Sequence, residues 1–206
     1  MESGDYLTTP DFSFQDEAVS RVISDFKKNP QFRNLVIVPT GGGKTIIAIK
    51  VVNKMIEQGL ITNKEYVIWV THRINLRAQV KEEISDPKNI KKYKLNKNLH
   101  TILKVCMKKE ASEILSGSRN SGCRLLIIDE AHHSAAPTYK PFFRNKIGIL
   151  GLTATPTRTD SYQLEFDSVS YSISFSELVQ KGVIIKPVFE NVYTTETIDV
   201  KSLDQS

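Results

Sequence analysis

Seven residues restrict the fold of this chain more than any others: Pro39-Thr40-Gly41-Gly42-Gly43-Lys44-Thr45. An apolar, β-branched run, Leu35–Val38, leads into them, and a helix-like segment, Lys44–Glu57, follows. Strand, glycine loop and helix in that order form the setting of a phosphate-binding loop. Gly41, Gly42 and Gly43 leave no Cβ between the backbone N–H groups and a bound polyphosphate, and the helix N-terminus adds its partial positive charge. Lys44 can reach the β- and γ-phosphates, and the Thr45 hydroxyl is of the type that holds Mg²⁺. The pattern is a variant of the general loop, since the usual first glycine, five positions before Gly43, is Val38 here.

The remaining apolar runs fix the fold class. Tyr66–Val70, Thr101–Val105, Leu125–Ile128, Ile147–Leu152 and Val183–Val188 are short and β-branched or aromatic, without clean alternation. Strands covered on both faces have that pattern. Ile74–Ile84 spaces Ile74, Leu76, Val80 and Ile84 among charges as an amphipathic helix does, and Gly59 is placed to stop the helix that begins at Lys44. Strands alternating with helices predict an α/β fold with a mainly parallel sheet flanked by helices. With 206 residues the chain has material for one domain, 1–206, whose ends at about 1–10 and 194–206 are polar and expected to be loosely held. No apolar run reaches the roughly 20 residues of a membrane span, and the polar N-terminus is not a secretory signal. Cys106 and Cys123 have no metal-ligand spacing, so free thiols in a reducing cytoplasm are expected.

A second chemical signal is Leu125-Leu126-Ile127-Ile128-Asp129-Glu130-Ala131-His132. Two carboxylates directly after a buried strand fall at the C-terminal edge of the sheet, where the glycine loop must also open. One can hold Mg²⁺ beside the phosphates and the other can orient an attacking water. Charge is also uneven: Asp86–Lys109 holds eight lysines, at 88, 91, 92, 94, 97, 104, 108 and 109, against one acid. That stretch is either a solvated loop or a contact for a phosphate backbone.

Taken together, the motifs resemble the first motor domain of a superfamily 2 helicase, of DEAH-box and restriction-enzyme type. Gln15 matches the upstream glutamine of the family, and PTGGGKT its motif I. Val70-Thr71-His72-Arg73, with Leu76 and Gln79, is similar to motif Ia, Asp129-Glu130-Ala131-His132 to motif II, and Gly151-Leu152-Thr153-Ala154-Thr155-Pro156 to motif III. Tyr171–Pro187 is similar to the end of this domain in restriction and repair helicases. The resemblance implies a RecA-like three-layer P-loop NTPase fold with ATP and Mg²⁺ as cofactors. In it Gln15 reads adenine, Thr40 to Thr45 cradle the phosphates, Thr45 and Asp129 hold the metal, and Glu130 is the hydrolytic base. His132, Thr153 and Thr155 would couple nucleotide state to nucleic acid, which Arg73, Gln79, Lys91, Lys92 and Lys94 would contact. DNA is favoured over RNA by the restriction and repair likeness. The family's second motor domain, with its arginine fingers, is not encoded in these residues and is expected in a longer chain. The alternative is an ATP-gated nucleic-acid sensor that does not unwind.

Overall fold

The computed structural model describes residues 9–71, 74–117, 122–155 and 165–185. Six strands form one sheet: β1 (Arg33–Ile37), β2 (Tyr66–Thr71), β3 (Leu103–Met107), β4 (Cys123–Ile128), β5 (Gly148–Thr153) and β6 (Ser168–Ser172). They lie in the order β3-β2-β4-β5-β1-β6, and each neighbouring pair is parallel. Helices cover both sides. α1 (Ser13–Lys28), α2 (Lys44–Glu57), α3 (Ile74–Ser85) and the short α4 (Pro87–Tyr93) and α5 (Leu99–Ile102) lie on one face; α6 (Lys108–Ser116) and α7 (Lys140–Phe143) lie on the other. Helix α8 (Phe175–Gln180) follows β6.

Alternation within each strand explains why the runs read as continuously apolar. Val36, Val67, Trp69, Leu125, Ile127, Leu150 and Leu152 enter the core shared with α1, α2 and α3. Their neighbours Leu35, Ile37, Ile68, Val70, Leu126, Ile128 and Ile149 enter the second core, with Leu115 of α6 and Phe142 and Phe143 of α7. Each fully buried aliphatic side chain contributes about 1.5–3 kcal/mol to folding, and a strand supplying both cores is apolar on both faces except where a buried polar residue is hydrogen-bonded, as Asn34 of β1 is to Asp25 and Ser170. Helix α2 has the bounds its pattern predicts. It stops at Gly59 in a Schellman turn: φ there is +66°, Gly59 N–H donates to Ile56 O at 3.1 Å and Leu60 N–H to Met55 O at 2.9 Å.

Two expectations are corrected. Val183–Val188 is not a strand where it is described: Val183 and Ile184 lie in a turn after α8 and pack partly against the first core. The sixth strand is instead Ser168–Ser172, whose SVSYS sequence is half polar because it is an edge strand, paired with β1 alone, that leaves Ser168, Val169 and Ser172 exposed. The third strand begins at Leu103, not Thr101, because Leu99–Ile102 form a helical turn. Helix α1 lies outside the set of short apolar runs, although Phe14, Ala18, Val22 and Phe26 recur every fourth residue along its buried side. The loosely held ends, about 1–10 and 194–206, lie mostly outside the described residues.

The lysine-rich stretch is not a loop. Asp86 caps α4, its carboxylate accepting the Lys88 N–H at 2.8 Å, and the stretch runs through α4, α5 and β3 into α6. Its lysines therefore divide between the two faces. Lys92 lies over the rings of Tyr93 and Phe12, 5.0 and 6.0 Å from their centroids, beside α1. Lys104 lies over Tyr66 at 3.6 Å, and Lys108 over Tyr139 at 5.3 Å while donating to Thr138 Oγ1 at 2.9 Å, on the opposite face.

Candidate functional site

The order β4-β5-β1 at the centre of the sheet brings the glycine loop, Asp129-Glu130 and Thr153, all separate in sequence, to one edge. Val38 N–H, at the entrance to the glycine loop, donates to Thr153 O at 3.0 Å, and Asp129 N–H donates to Val70 O at 3.0 Å. The loop itself needs glycine. Gly41 and Gly43 have φ of +87° and +84°, and Gly43 is the N-cap of α2. A Cβ at Gly42 would stand 2.4 Å from Val38 Cγ1 and 2.9 Å from Leu178 Cδ1 of α8; one at Gly43 would stand 2.6 Å from Gln15 Nε2.

Gln15 is thus buried against the loop. It is carried there by α1, whose start is tied to the chain after α8: Asp11 N–H donates to Lys181 O at 2.9 Å, and the Lys181 ammonium pairs with the Asp11 carboxylate. That ion pair holds the Asp11 carboxyl well below the usual carboxylate range.

An open cleft of about 330 Å³ lies at this edge. Thr40, Gly41, Lys44 and Thr45 form one side, with Asp129 and Glu130 facing them. The Lys44 ammonium lies across its own loop, donating to Val38 O at 3.2 Å. The third wall is α3, which contributes Leu76, Gln79 and Glu83. Gln79 therefore lines the same cleft as the glycine loop, and Glu83 is a carboxylate there that no motif marks. Arg73, with His72, lies outside the described residues. Leu178 and Ile184, which back the glycines, are a further contribution visible only in three dimensions.

Asp129 is only 6% exposed, and burial pushes its carboxyl above the ordinary value, reinforced by the Glu130 charge. The Glu130 N–H, which donates to Asp129 Oδ1 at 3.0 Å, opposes that shift, as do the Lys44 charge and the indole N–H of Trp69. A buried carboxylate with a glycine cradle and a hydroxyl opposite it is the donor set that a Mg²⁺-nucleotide fits: hard oxygen ligands for the cation and backbone N–H groups for the phosphates. Such a site carries a cost when empty. A carboxyl whose folded pKa is raised destabilises the fold once ionised, and the loss is relieved as pH falls through the raised value. Asp129→Asn is therefore expected to stabilise the ligand-free protein at neutral pH by on the order of 1 kcal/mol, a few degrees in Tm, while removing the Mg²⁺-dependent part of any nucleotide-induced shift. Thermal melts with and without Mg²⁺ check both halves; a ligand-free Tm at or below that of the parent chain contradicts the first.

Glu130 has φ +47° and ψ +54°, a left-handed conformation that costs a non-glycine residue of order 1 kcal/mol or more. This kink ends β4 and starts the 3-10 turn Ala131–Ala135. His132 Nδ1 then lies 3.4 Å from Glu130 Oε2 and 3.3 Å from Thr153 Oγ1. Thr153 Oγ1 donates to Thr155 O at 2.8 Å and accepts the Thr155 N–H at 3.2 Å. With the hydroxyl proton committed to Thr155, the imidazole must donate, which fixes a neutral His132 as the Nδ1–H tautomer. Glu130, His132, Thr153 and Thr155 thereby form one continuous polar chain beside the cleft. The His133 ring lies against that of His132, tilted by 47° with centroids 4.2 Å apart.

A parallel α/β sheet that opens a glycine loop opposite an Asp-Glu pair defines a P-loop nucleotide-binding core. The particular family is shown by sequence: residues 10–158 match the family described as "Type III restriction enzyme, res subunit", and the chain belongs to it. The "Putative mitochondrial ATP-dependent helicase irc3" of Schizosaccharomyces pombe is 24% identical over 195 residues, covering 87% of this chain and 32% of its own length. The DNA 3'-5' translocase XPB2 of Sulfurisphaera tokodaii is 30% identical over 181 residues, 82% of this chain and 38% of that protein. The chain thus spans about a third of the length of these curated relatives. In fold it is similar to the type ISP restriction-modification enzyme LlaGI, solved as a nuclease-deletion mutant in complex with a DNA substrate mimic, at a TM-score of 0.59 and 18% identity over 85% of this chain and 21% of that one. Among the described residues no helix is long and apolar enough to cross a membrane.

Proposed function

We propose that this domain is the ATP-binding half of a DNA-dependent translocase or helicase of restriction or repair type. The observation that carries the proposal is the convergence of the glycine loop, Asp129-Glu130 and the His132–Thr153–Thr155 chain at one sheet edge. Lys44 and the loop N–H groups, from Thr40 to Thr45, bind the β- and γ-phosphates. Thr45 and Asp129 hold Mg²⁺, which when bound neutralises phosphate charge. Glu130 accepts a proton from the attacking water. Gln15, buried beside Gly43, supplies amide hydrogen-bonding capacity for adenine at the side of the cleft. The Glu130–His132 contact carries a change at the phosphates to Thr153 and Thr155. A second motor domain, elsewhere in a longer chain, would complete the site. Two free, buried cysteines support a reducing compartment, cytoplasmic in this reading.

DNA is the nucleic acid that the likeness to a DNA translocase and to a DNA-bound restriction enzyme favours. Arg73 and Gln79 would contact it, together with the exposed lysines Lys91, Lys92 and Lys94 on and beside α4. Because the lysines divide between two faces, only one group can follow a single strand path. Replacing Lys88, Lys91, Lys92, Lys94 and Lys97 by glutamine is expected to reduce the slope of log K against log salt by about 0.7–0.9 for each phosphate that is no longer neutralised. Fluorescence-anisotropy titrations with DNA and with RNA at several salt concentrations test this. An unchanged slope removes the α4 lysines from the interface, and tighter binding to RNA overturns the preference for DNA.

A further inference from the structure

Each glycine of the loop is backed by a side chain from α1 or from the α8 turn. A Cβ at Gly41 would stand 3.6 Å from Ile184 Cγ1, one at Gly42 2.9 Å from Leu178 Cδ1, and one at Gly43 2.6 Å from Gln15 Nε2. Gln15 is the polar member of this set. It is only 4% exposed, and among the described residues its amide has no hydrogen-bond partner. Leaving a buried amide unpaired costs free energy, so its N–H and C=O groups are held ready for a ligand in the cleft. A carboxamide matches the N6 and N7 edge of adenine with one acceptor and one donor, whereas guanine offers two acceptors there.

Gln15 stands in the first turn of α1, and Asp11 fastens that turn to the end of α8. The Asp11 N–H donates to Lys181 O at 2.9 Å, one carboxylate oxygen accepts the Ser13 N–H at 2.9 Å, and the other pairs with the Lys181 ammonium. Lys181 is the C-cap of α8, a helix held at both ends: Ser174 and Glu177 form a capping box, and Gly182, with φ +66°, turns the chain so that Val183 N–H reaches Leu178 O at 3.0 Å. The Lys181 and Asp11 side chains are 32% and 48% exposed, so neither fills a core. We propose that Asp11 and Lys181 form a latch that holds Gln15 in place to meet a nucleobase, which makes them positioning residues for base selectivity and not for phosphate binding. This rests on the nucleotide reading of the cleft. The shape of the loop that meets the phosphates is kept by its own glycines with Leu178 and Ile184 behind them, whereas the reach of Gln15 depends on where α1 begins.

The test uses residues 1–206 with Mg²⁺ and three probes: ADP, GDP and inorganic tripolyphosphate. In Lys181→Met the ADP concentration giving half of the thermal shift is expected to rise about 2- to 5-fold, which is what an exposed ion pair can transmit. The GDP and tripolyphosphate midpoints are expected to stay where they are, a split that a merely loosened fold would not produce. Lys181→Arg keeps the charge and is expected to restore the parent value. Asp11→Asn, whose amide oxygen still accepts the Ser13 N–H, is expected to match Lys181→Met and supplies the test should that variant fail to fold. In a Gln15→Ala background the latch substitutions are expected to have no further effect. An unchanged ADP midpoint, equal rises for ADP and tripolyphosphate, or an undiminished effect in Gln15→Ala overturns the latch and leaves the nucleotide reading standing. Equal binding of ADP and GDP by the parent chain removes Gln15 from base recognition, and the latch with it. Absence of any Mg²⁺-ADP binding in the parent chain overturns the nucleotide reading and this proposal together.

Discussion

Lys44→Ala is expected to remove most of the rise in melting temperature that Mg²⁺-ATP produces in the parent chain. The Lys44 side chain enters no core; its ammonium is held by one contact, to Val38 O at 3.2 Å across the glycine loop. A phosphate entering the loop replaces that neutral carbonyl with an anionic partner. Hydrogen bonds involving charged groups contribute about 1.5–3 kcal/mol each, so losing one weakens binding about 10- to 150-fold. A ligand supplied at about ten times its dissociation constant for the parent chain then stabilises the variant by at most about 0.4 kcal/mol, against about 1.4 kcal/mol in the parent chain. Lys44 is also the first residue of α2, and alanine is a good helix former there, so the ligand-free melt is expected to stay close to that of the parent chain. An undiminished ATP-induced shift in the variant would remove Lys44 from the phosphate site.

Residues 1–206 assayed alone are expected to hydrolyse ATP slowly, with little stimulation by DNA. Lys44, Thr45, Asp129 and Glu130 supply charge and proton acceptance from one side of the cleft, and none of the described residues lining it is an arginine. In phosphoryl transfer an arginine reaching the γ-phosphate from the opposite side contributes about 10³- to 10⁵-fold to kcat. The cleft is also open to water, which weakens each electrostatic contact inside it. Glu130→Gln is accordingly expected to change this low rate only slightly, while in a complete two-domain motor the same substitution removes general-base catalysis, typically about 10²- to 10⁴-fold. Steady-state ATPase assays of both forms, with and without DNA, make the comparison. Fast, DNA-stimulated turnover by residues 1–206 would mean that the missing charge is already inside this chain or comes from a second copy of it.

How much of the site is legible from sequence varies with the kind of contact. Lys44, Thr45, Asp129 and Glu130 are legible because their neighbours in sequence determine their chemistry. A glycine loop must follow a strand and open a helix, and a carboxylate pair after a buried strand must emerge at its C-terminal end. Gln79 is legible as a motif residue but not as a wall of the cleft, because its position depends on α3 lying beside α2. Glu83 carries no local signal at all. The lysine stretch looks like one patch in the linear chain, yet α4 and β3 send its charges to opposite faces.

The amino-acid sequence by itself determined an α/β domain with doubly covered strands, a phosphate loop, and a carboxylate pair at the same edge. These follow from local periodicity and from short motifs, in which cause and effect are close neighbours along the chain. Only the tertiary structure decided which strands adjoin. The order β4-β5-β1 puts Thr153 against both Val38 and His132. Strand order and register are set by how two cores are filled at once, through contacts between residues far apart in the chain. A sheet edge and a half-polar strand such as Ser168–Ser172 arise from that global packing, so no window of the sequence contains them.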